Sequence, residues 1–122
     1  MFTGIVQSTG QVKSIKVGDN FKQVKVEVSN EIIDDLQIGA SVANNGVCLT
    51  AVDFVSISDK LAEITFDIID ETLRVTNLGL LVAGDFINIE RSLKVGDEIG
   101  GHMVSGHIHC TAKLLKMADS ID

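Results

Sequence analysis

Apolar and polar residues alternate along this chain in short runs, each closed by turn-forming residues. Val24, Val26 and Val28 are separated by Lys25 and Glu27, and Ile64, Phe66 and Ile68 by Thr65 and Asp67. Ile87 and Ile89 alternate with Asn88 and Glu90; Val55 and Ile57 alternate with Ser56 and Ser58 ahead of an Asp59-Lys60 turn. A period of two predicts strands with one face buried. Gly10, Gly18, Gly39, Gly46, Gly79 and Gly84 fall between the runs. Two stretches break the period: Glu31 to Leu36 and Glu71 to Asn77 read as short helices, the second capped by Asp70. The pattern predicts an all-β protein of about six strands with two helical inserts. A closed antiparallel barrel removes the exposed edges that such short strands would otherwise present.

The strongest local signal is Asn45-Gly46, set between Ser41-Val42-Ala43-Asn44 and Val47-Cys48-Leu49-Thr50. Asn-Gly between strand-like runs favours a two-residue type I′ turn. That turn sets Asn44 opposite Val47, Ala43 opposite Cys48, Val42 opposite Leu49 and Ser41 opposite Thr50. Cross-strand partners share a face, so Ser41, Ala43, Cys48 and Thr50 line one side. Val42, Val47, Leu49 and Ala51 line the other and suit a core. The first side carries two hydroxyls and a thiol, all small, which lets a flat ligand approach the backbone. An ordinary half-exposed hairpin would look the same from the sequence.

Composition narrows the class. The chain has 122 residues, enough for one domain and one core, and 45% are hydrophobic, which argues against disorder. A formal charge of −7 excludes the Lys/Arg surplus that phosphate contacts require, and it disfavours an acidic membrane surface. No apolar run approaches the roughly 20 residues of a membrane span. Met1-Phe2-Thr3-Gly4 lacks the basic n-region of a signal peptide, and two cysteines, Cys48 and Cys110, fit a reducing cytoplasm. With no Trp or Tyr, and with Phe2, Phe21, Phe54, Phe66 and Phe86 scattered as core residues, a planar ligand would have to be held without an aromatic platform.

One internal repeat stands out. Met1-Phe2-Thr3-Gly4-Ile5-Val6-Gln7-Ser8-Thr9-Gly10-Gln11-Val12 aligns with the segment 102 positions further on, Met103-Val104-Ser105-Gly106-His107-Ile108-His109-Cys110-Thr111-Ala112-Lys113-Leu114. The first strand of the domain begins again near residue 103, as in a tandem duplication cut inside its second copy, since a lone strand cannot bury its apolar face. Asp119-Ser120-Ile121-Asp122 has no strand pattern and is expected to fray.

Four blocks in one order now carry a family resemblance: Met1 to Val6, Ala40 to Thr50 around Asn45-Gly46, Glu71-Thr72-Leu73-Arg74-Val75-Thr76-Asn77-Leu78-Gly79, and Gly100-Gly101-His102-Met103-Val104-Ser105-Gly106-His107-Ile108. Together they resemble riboflavin synthase from residue 1 to about residue 115, with a few extra residues between Ala51 and Phe66. The resemblance implies two similar six-stranded Greek-key barrels in a full-length trimer. It implies dismutation of two 6,7-dimethyl-8-ribityllumazine molecules, with transfer of a four-carbon unit, to riboflavin and a pyrimidinedione. It implies no metal or redox cofactor, riboflavin being a bound product. On this basis residues 1–99 are the N-terminal barrel, and residues 100–122 hold the first strand of a second barrel and a frayed tail.

The resemblance also implies site residues. His102 matches the family's catalytic histidine, and Ser41 and Cys48 match a polar pair over the ring that adds to it or orients a water. Ligand-binding segments correspond to Gly4, Ile5 and Val6; to Cys48, Leu49 and Thr50; to Asp67, Ile68, Ile69, Asp70, Glu71 and Thr72; and to Gly106, His107 and Ile108. Expected partners are the lumazine and riboflavin, with no nucleic acid or membrane. This chain alone is expected to form a homodimer with little or no synthase activity. Cys48 taken by itself reads equally as a structural thiol. His107 and His109 share a strand face and could bind metal with Cys110 or His102, yet a closed site needs four ligands, so none is expected. Gly100-Gly101 and Gly106 precede no helix and so form no phosphate loop. Two rivals share the architecture: a non-catalytic lumazine- or flavin-binding antenna protein, and a flavin-reductase barrel, whose Arg-x-Tyr-Ser-type signature is absent.

Overall fold

The computed structural model describes residues 1–119; of the tail expected to fray, Ser120 to Asp122 lie outside the described residues. Six strands form: β1 (Ser8–Gly18), β2 (Phe21–Ser29), β3 (Ser41–Asn44), β4 (Val47–Ser56), β5 (Leu61–Ile69) and β6 (Phe86–Arg91). They close in the order β1-β2-β5-β4-β3-β6, with every neighbouring pair antiparallel. Hairpins link β3, β4 and β5 in succession, and β2 lies beside β5, which makes the connection a Greek key. The expected closed antiparallel Greek-key barrel is the fold.

Alternation sends one side chain in two inward, and those side chains fill the barrel. Val12, Val24, Val26, Val28, Val42, Leu49, Ala51, Ile64, Phe66, Ile68, Ile87 and Ile89 are all buried there, with Ile32, Leu36 and Leu78 added from the connections. Phe66 is the large aromatic at the centre, with no exposed surface. The β3–β4 register is the one an Asn-Gly turn dictates: Ser41 opposite Thr50, Ala43 opposite Cys48. Asn45 and Gly46 take φ of 50° and 81°, the left-handed pair that a type I′ turn needs. Asn45 also ties the turn to β6: its N–H donates to the Asn88 carbonyl at 2.8 Å, and its Oδ1 accepts the Asn88 N–H at 2.7 Å.

Three local expectations are corrected. Glu31 to Leu36 is helical only at its start, where a short 3-10 helix spans Asn30–Ile33; Asp34 then turns extended while Asp35 takes φ of 57°. The second helix, α1, runs Asp70–Val75, so Asp70 is its first residue and not its cap. Ile69 stays in the ladder opposite Phe21 and occupies the cap position with no side-chain acceptor to offer. Thr76 ends α1: its hydroxyl donates to the Thr72 carbonyl at 2.7 Å and accepts the Leu78 N–H at 3.2 Å. Finally, a register shift between Ala51 and Asp53 inserts one residue into β4. Beyond it Phe54 turns toward the core, and Val55 and Ile57, 55% and 52% exposed, point outward despite their alternation.

Outside the barrel wall lies an arm formed by the first residues. Gln7 N–H donates to the Ile89 carbonyl at 3.0 Å and keeps the arm beside β6. Phe2 forms an isolated antiparallel bridge with Val104, and Leu93 N–H donates to the Met1 carbonyl at 2.9 Å, so the chain beyond β6 returns along this arm. Replacing the central aromatic should report on the barrel alone. Phe66→Ala is expected to lower the unfolding free energy by about 3–5 kcal/mol, read as a lower midpoint in urea denaturation.

Candidate functional site

The outer face of the β3–β4 hairpin carries Ser41, Ala43, Cys48 and Thr50, and it is not uniformly open. Thr50 is exposed, Ser41 and Cys48 are half-buried, and Ala43 is buried. The cover comes from the arm and its repeat. Gly106 takes φ of 81°, and a β-carbon there would sit 2.9 Å from Cys48 Cβ, 3.1 Å from the Phe2 ring and 3.2 Å from Cys48 N. Only glycine combines that backbone with that approach. The contact is fastened by the Cys48 N–H, which donates to the Gly106 carbonyl at 2.8 Å. Phe2, almost fully buried, fills the space beneath.

The repeat found in the sequence has a common geometry in space. Gly4 and Gly106 share φ values of 82° and 81°. Thr3 Oγ1 accepts the Ile5 N–H at 3.0 Å, and Ser105 Oγ accepts the His107 N–H at 3.1 Å. The bridge joins Phe2 to Val104, which are equivalent positions, so the two copies meet about a local two-fold.

A cleft of about 210 Å³ opens beside Cys48. Its walls are Val47 and Cys48 from β4, Glu71, Thr72, Val75 and Thr76 from α1 and its end, and Gly106, His107 and Ile108 from the repeat segment. A neighbouring cleft of about 240 Å³ continues past Val47, Thr76 and Ile108 toward Cys110 and Ala112. Arg74 Nε and Nη2 donate to the Glu71 carboxylate at 3.0 and 2.6 Å. Those hydrogen bonds, then the guanidinium charge, hold the Glu71 carboxyl below its ordinary value, and the Glu71–Arg74 pair as a whole carries no net charge. The pair is exposed and contributes little to stability. The cleft therefore offers apolar contact from Val47, Val75 and Ile108, a thiol, two hydroxyls, and a carboxylate acceptor.

Six of the residues singled out from the sequence meet here: Cys48, Glu71, Thr72, Gly106, His107 and Ile108. Leu49 and Ile68 point into the barrel core and can present only backbone outward. Asp67 accepts a hydrogen bond from Gln23 Nε2 at 3.0 Å, Ile69 is exposed, and Asp70 opens α1. Ser41 lies at the far end of the hairpin beside Thr50, and His102 is exposed before the Val104 bridge; neither lines the cleft. Gly4 and Val6 line a separate small crevice with Ala43 and Glu90. Ile5 faces a larger one, about 420 Å³, with Thr3, Gln7, Arg91 and Asp97. That crevice is the roomier, yet it gathers few of the motif residues. Among the described residues no three His, Cys, Asp or Glu side chains converge as metal ligands would, and no helix is long and apolar enough to cross a membrane.

Residues 3–92 match the lumazine binding domain. The chain belongs to that family. Riboflavin synthase of Escherichia coli K12 is 48% identical over 120 residues, which cover 98% of this chain and 54% of that protein. Riboflavin synthase of Bacillus subtilis is 35% identical over 119 residues, 98% of this chain and 53% of that protein. The chain thus spans about half the length of the curated relatives it matches. Among solved structures, LumP complexed with riboflavin superposes with a TM-score of 0.75 at 28% identity, covering 90% of this chain and 56% of that one. LumP complexed with 6,7-dimethyl-8-(1′-D-ribityl) lumazine gives 0.71 at 29%, covering 87% and 56%.

Two buried residues on the arm side of the barrel do not sit where the alternation puts them. Phe2 reads as core but sits outside the barrel, and Glu90 reads as the polar partner of an alternating strand. The Gly106 contact has a direct check. In a Cys110→Ser background, Gly106→Val should raise the rate at which a thiol reagent labels Cys48 several-fold, because the new side chain displaces the covering segment. An unchanged rate would mean that Gly106 does not shield the thiol.

Proposed function

We propose that this chain is the N-terminal, ligand-binding half of a riboflavin synthase, and that the Cys48 cleft holds part of 6,7-dimethyl-8-ribityllumazine or riboflavin. The observation that carries this reading is the meeting of Cys48, Thr72 and Gly106 to Ile108, from three distant segments, on one small cleft of mixed polar and apolar lining. The names of the relatives and the ligands of LumP support it. Ile108 and Val47 suit the flat face of a heterocycle, while the Thr72 hydroxyl and Glu71 carboxylate suit hydroxyl and N–H donors. In a two-barrel protein the reaction is a dismutation. His102 takes a proton from an activated methyl of one lumazine, and Cys48, Ser41 or a water they orient adds to the ring of the other. The four-carbon unit passes from one molecule, which departs as the pyrimidinedione, to the other, which becomes riboflavin; the added nucleophile is expelled again and the proton held by His102 is returned to the departing amine, so every atom of the two lumazines is kept in the two products, with no net oxidation. No metal or redox cofactor has a role in this scheme, and the two free thiols suit a cytoplasmic enzyme.

The local two-fold through Phe2 and Val104 extends the reading to assembly. Gly106 to Ile108 complete the Cys48 cleft, so the equivalent Gly4 to Val6 are the segment that completes a matching cleft on a second barrel. In the full-length family that barrel follows in the same chain and three chains assemble. For this chain alone a second copy takes its place, and the homodimer binds ligand with little or no turnover. A second reading keeps the same site without catalysis, as an antenna-type binder, and the likeness to LumP complexed with riboflavin is compatible with it. Turnover by a two-barrel form separates the two.

Riboflavin titration, followed by quenching of its fluorescence, should saturate at one ligand per chain while light scattering reports twice the chain mass. No saturable quenching at high micromolar protein would refute the binding, and a monomer would refute the pairing. In a two-barrel form, Cys48→Ala and Ser41→Ala are each expected to cut turnover by about tenfold or more with little change in melting temperature. A loss of turnover no greater than the loss of folded protein would make both residues structural.

A further inference from the structure

Glu90 is on the outer side of β6, where alternation would leave it in water, yet it is 6% exposed. Its carboxylate faces the arm. Thr3 N–H donates to Oε2 at 2.8 Å, Thr3 Oγ1 donates to the same oxygen at 3.0 Å, and Gly4 N–H donates to Oε1 at 3.1 Å. Neither ion pair of the described residues involves it. A buried carboxylate held by neutral donors alone is a poor way to gain stability, since a well-packed apolar residue would serve as well. What it does gain is position, because charge-assisted hydrogen bonds to two successive residues fix both the location and the turn of the backbone they hold.

That turn is the start of a chain of contacts. Holding Thr3-Gly4 fixes Phe2, the next residue back. Phe2 bridges Val104 through two hydrogen bonds of 2.7 Å, and its ring lies against Gly106. Gly106 in turn receives the Cys48 N–H and begins the Gly106 to Ile108 wall of the cleft. In the repeat copy, Ser105-Gly106 has the same turn but no carboxylate partner among the described residues; its location is inherited through Phe2. We infer that Glu90 is the positioning residue of the Cys48 cleft, acting through Thr3-Gly4 and Phe2 on Val104 to Ile108 without touching the ligand. That the occupant is a flavin or lumazine rests on the proposed function; the coupling of Glu90 to Cys48 does not.

The test uses Glu90→Gln and the milder Thr3→Val in a Cys110→Ser background, with Ile64→Val as a core control that lowers thermal stability without touching the arm. Two readouts are taken well below the melting transition: the rate of Cys48 labelling without ligand, and the affinity for riboflavin. Glu90→Gln is expected to raise the labelling rate and weaken riboflavin binding, each by about tenfold, and Thr3→Val to move both the same way by less. Ile64→Val should move neither. In a Phe2→Ala background, Glu90→Gln should have no further effect, because the link it acts through is gone. Labelling unchanged by both Glu90→Gln and Thr3→Val would overturn the proposal, as would losses matched by the core control or multiplying with Phe2→Ala. Faster labelling in a protein whose parent binds no riboflavin would uphold the positioning role and refute the flavin reading.

Discussion

Closure of the sheet through β6 is the constraint on which the rest of this structure depends. β6 is a strand of six residues that pairs with β1 on one side and β3 on the other. Without it, β1 and β3 would be open edges and the apolar faces of short strands would have nothing to seal them. The closing contact is reinforced at the Asn45 turn, whose amide and side chain both bond Asn88. The same strand that completes the core therefore fixes the β3–β4 hairpin, and through Glu90 on its outer side it also holds the arm. Barrel closure and site geometry are set by opposite faces of one strand.

The interior of the barrel leaves no room for a ligand. Val12, Val26, Val42, Ala51, Ala62, Ile64, Phe66 and Ile89 all have zero exposure, as expected of side chains packed to the density of a crystal. Binding must then use the outer surface, where a convex wall offers no natural cavity. The chain supplies concavity by laying two further elements on that wall: α1 on one side of Cys48 and the Val104 to Ile108 segment on the other. Small residues at Ala43, Cys48 and Gly106 let backbone approach backbone, which is how a site can form without Trp or Tyr.

The barrel was legible in the sequence because its determinants are local. Asn45-Gly46 dictates a register, and strands such as Val24 to Val28 declare their buried face by parity alone. What could not be read locally was settled by partners distant in the chain. Val55 and Ile57 alternate like core residues, but the extra residue at Val52 turns them outward, and a bulge leaves no mark in a hydrophobic pattern. Asp70 has the chemistry of a cap, yet the pairing of Ile69 with Phe21 decides where the helix begins. For the site, the motif residues around Cys48, Thr72 and Gly106 were visible as blocks, and the repeat pointed to the arm. Glu90 was not visible, because its meaning comes from Thr3 and Gly4, more than eighty positions away.

Under the proposed function, the openness of the Cys48 cleft gives a reason for assembly in pairs. Pockets that enclose a drug-sized ligand typically measure about 300–1,000 Å³ and bury most of its surface. The cleft here, about 210 Å³ with a neighbour of about 240 Å³ continuing it, is a surface groove rather than a cavity, so one barrel grips a ring system and leaves part of it exposed. A second body must supply the missing wall. The local two-fold at Phe2 and Val104 sets its orientation: whatever the Gly106 segment does for this barrel, the Gly4 segment is disposed to do for another. A reaction that joins two molecules of one substrate gains from such a symmetry, since two half-enclosed sites brought face to face hold their ligands toward each other. The cost of desolvating each open cleft then falls on the same contact that aligns the reactants, so assembly and catalysis rest on one interface.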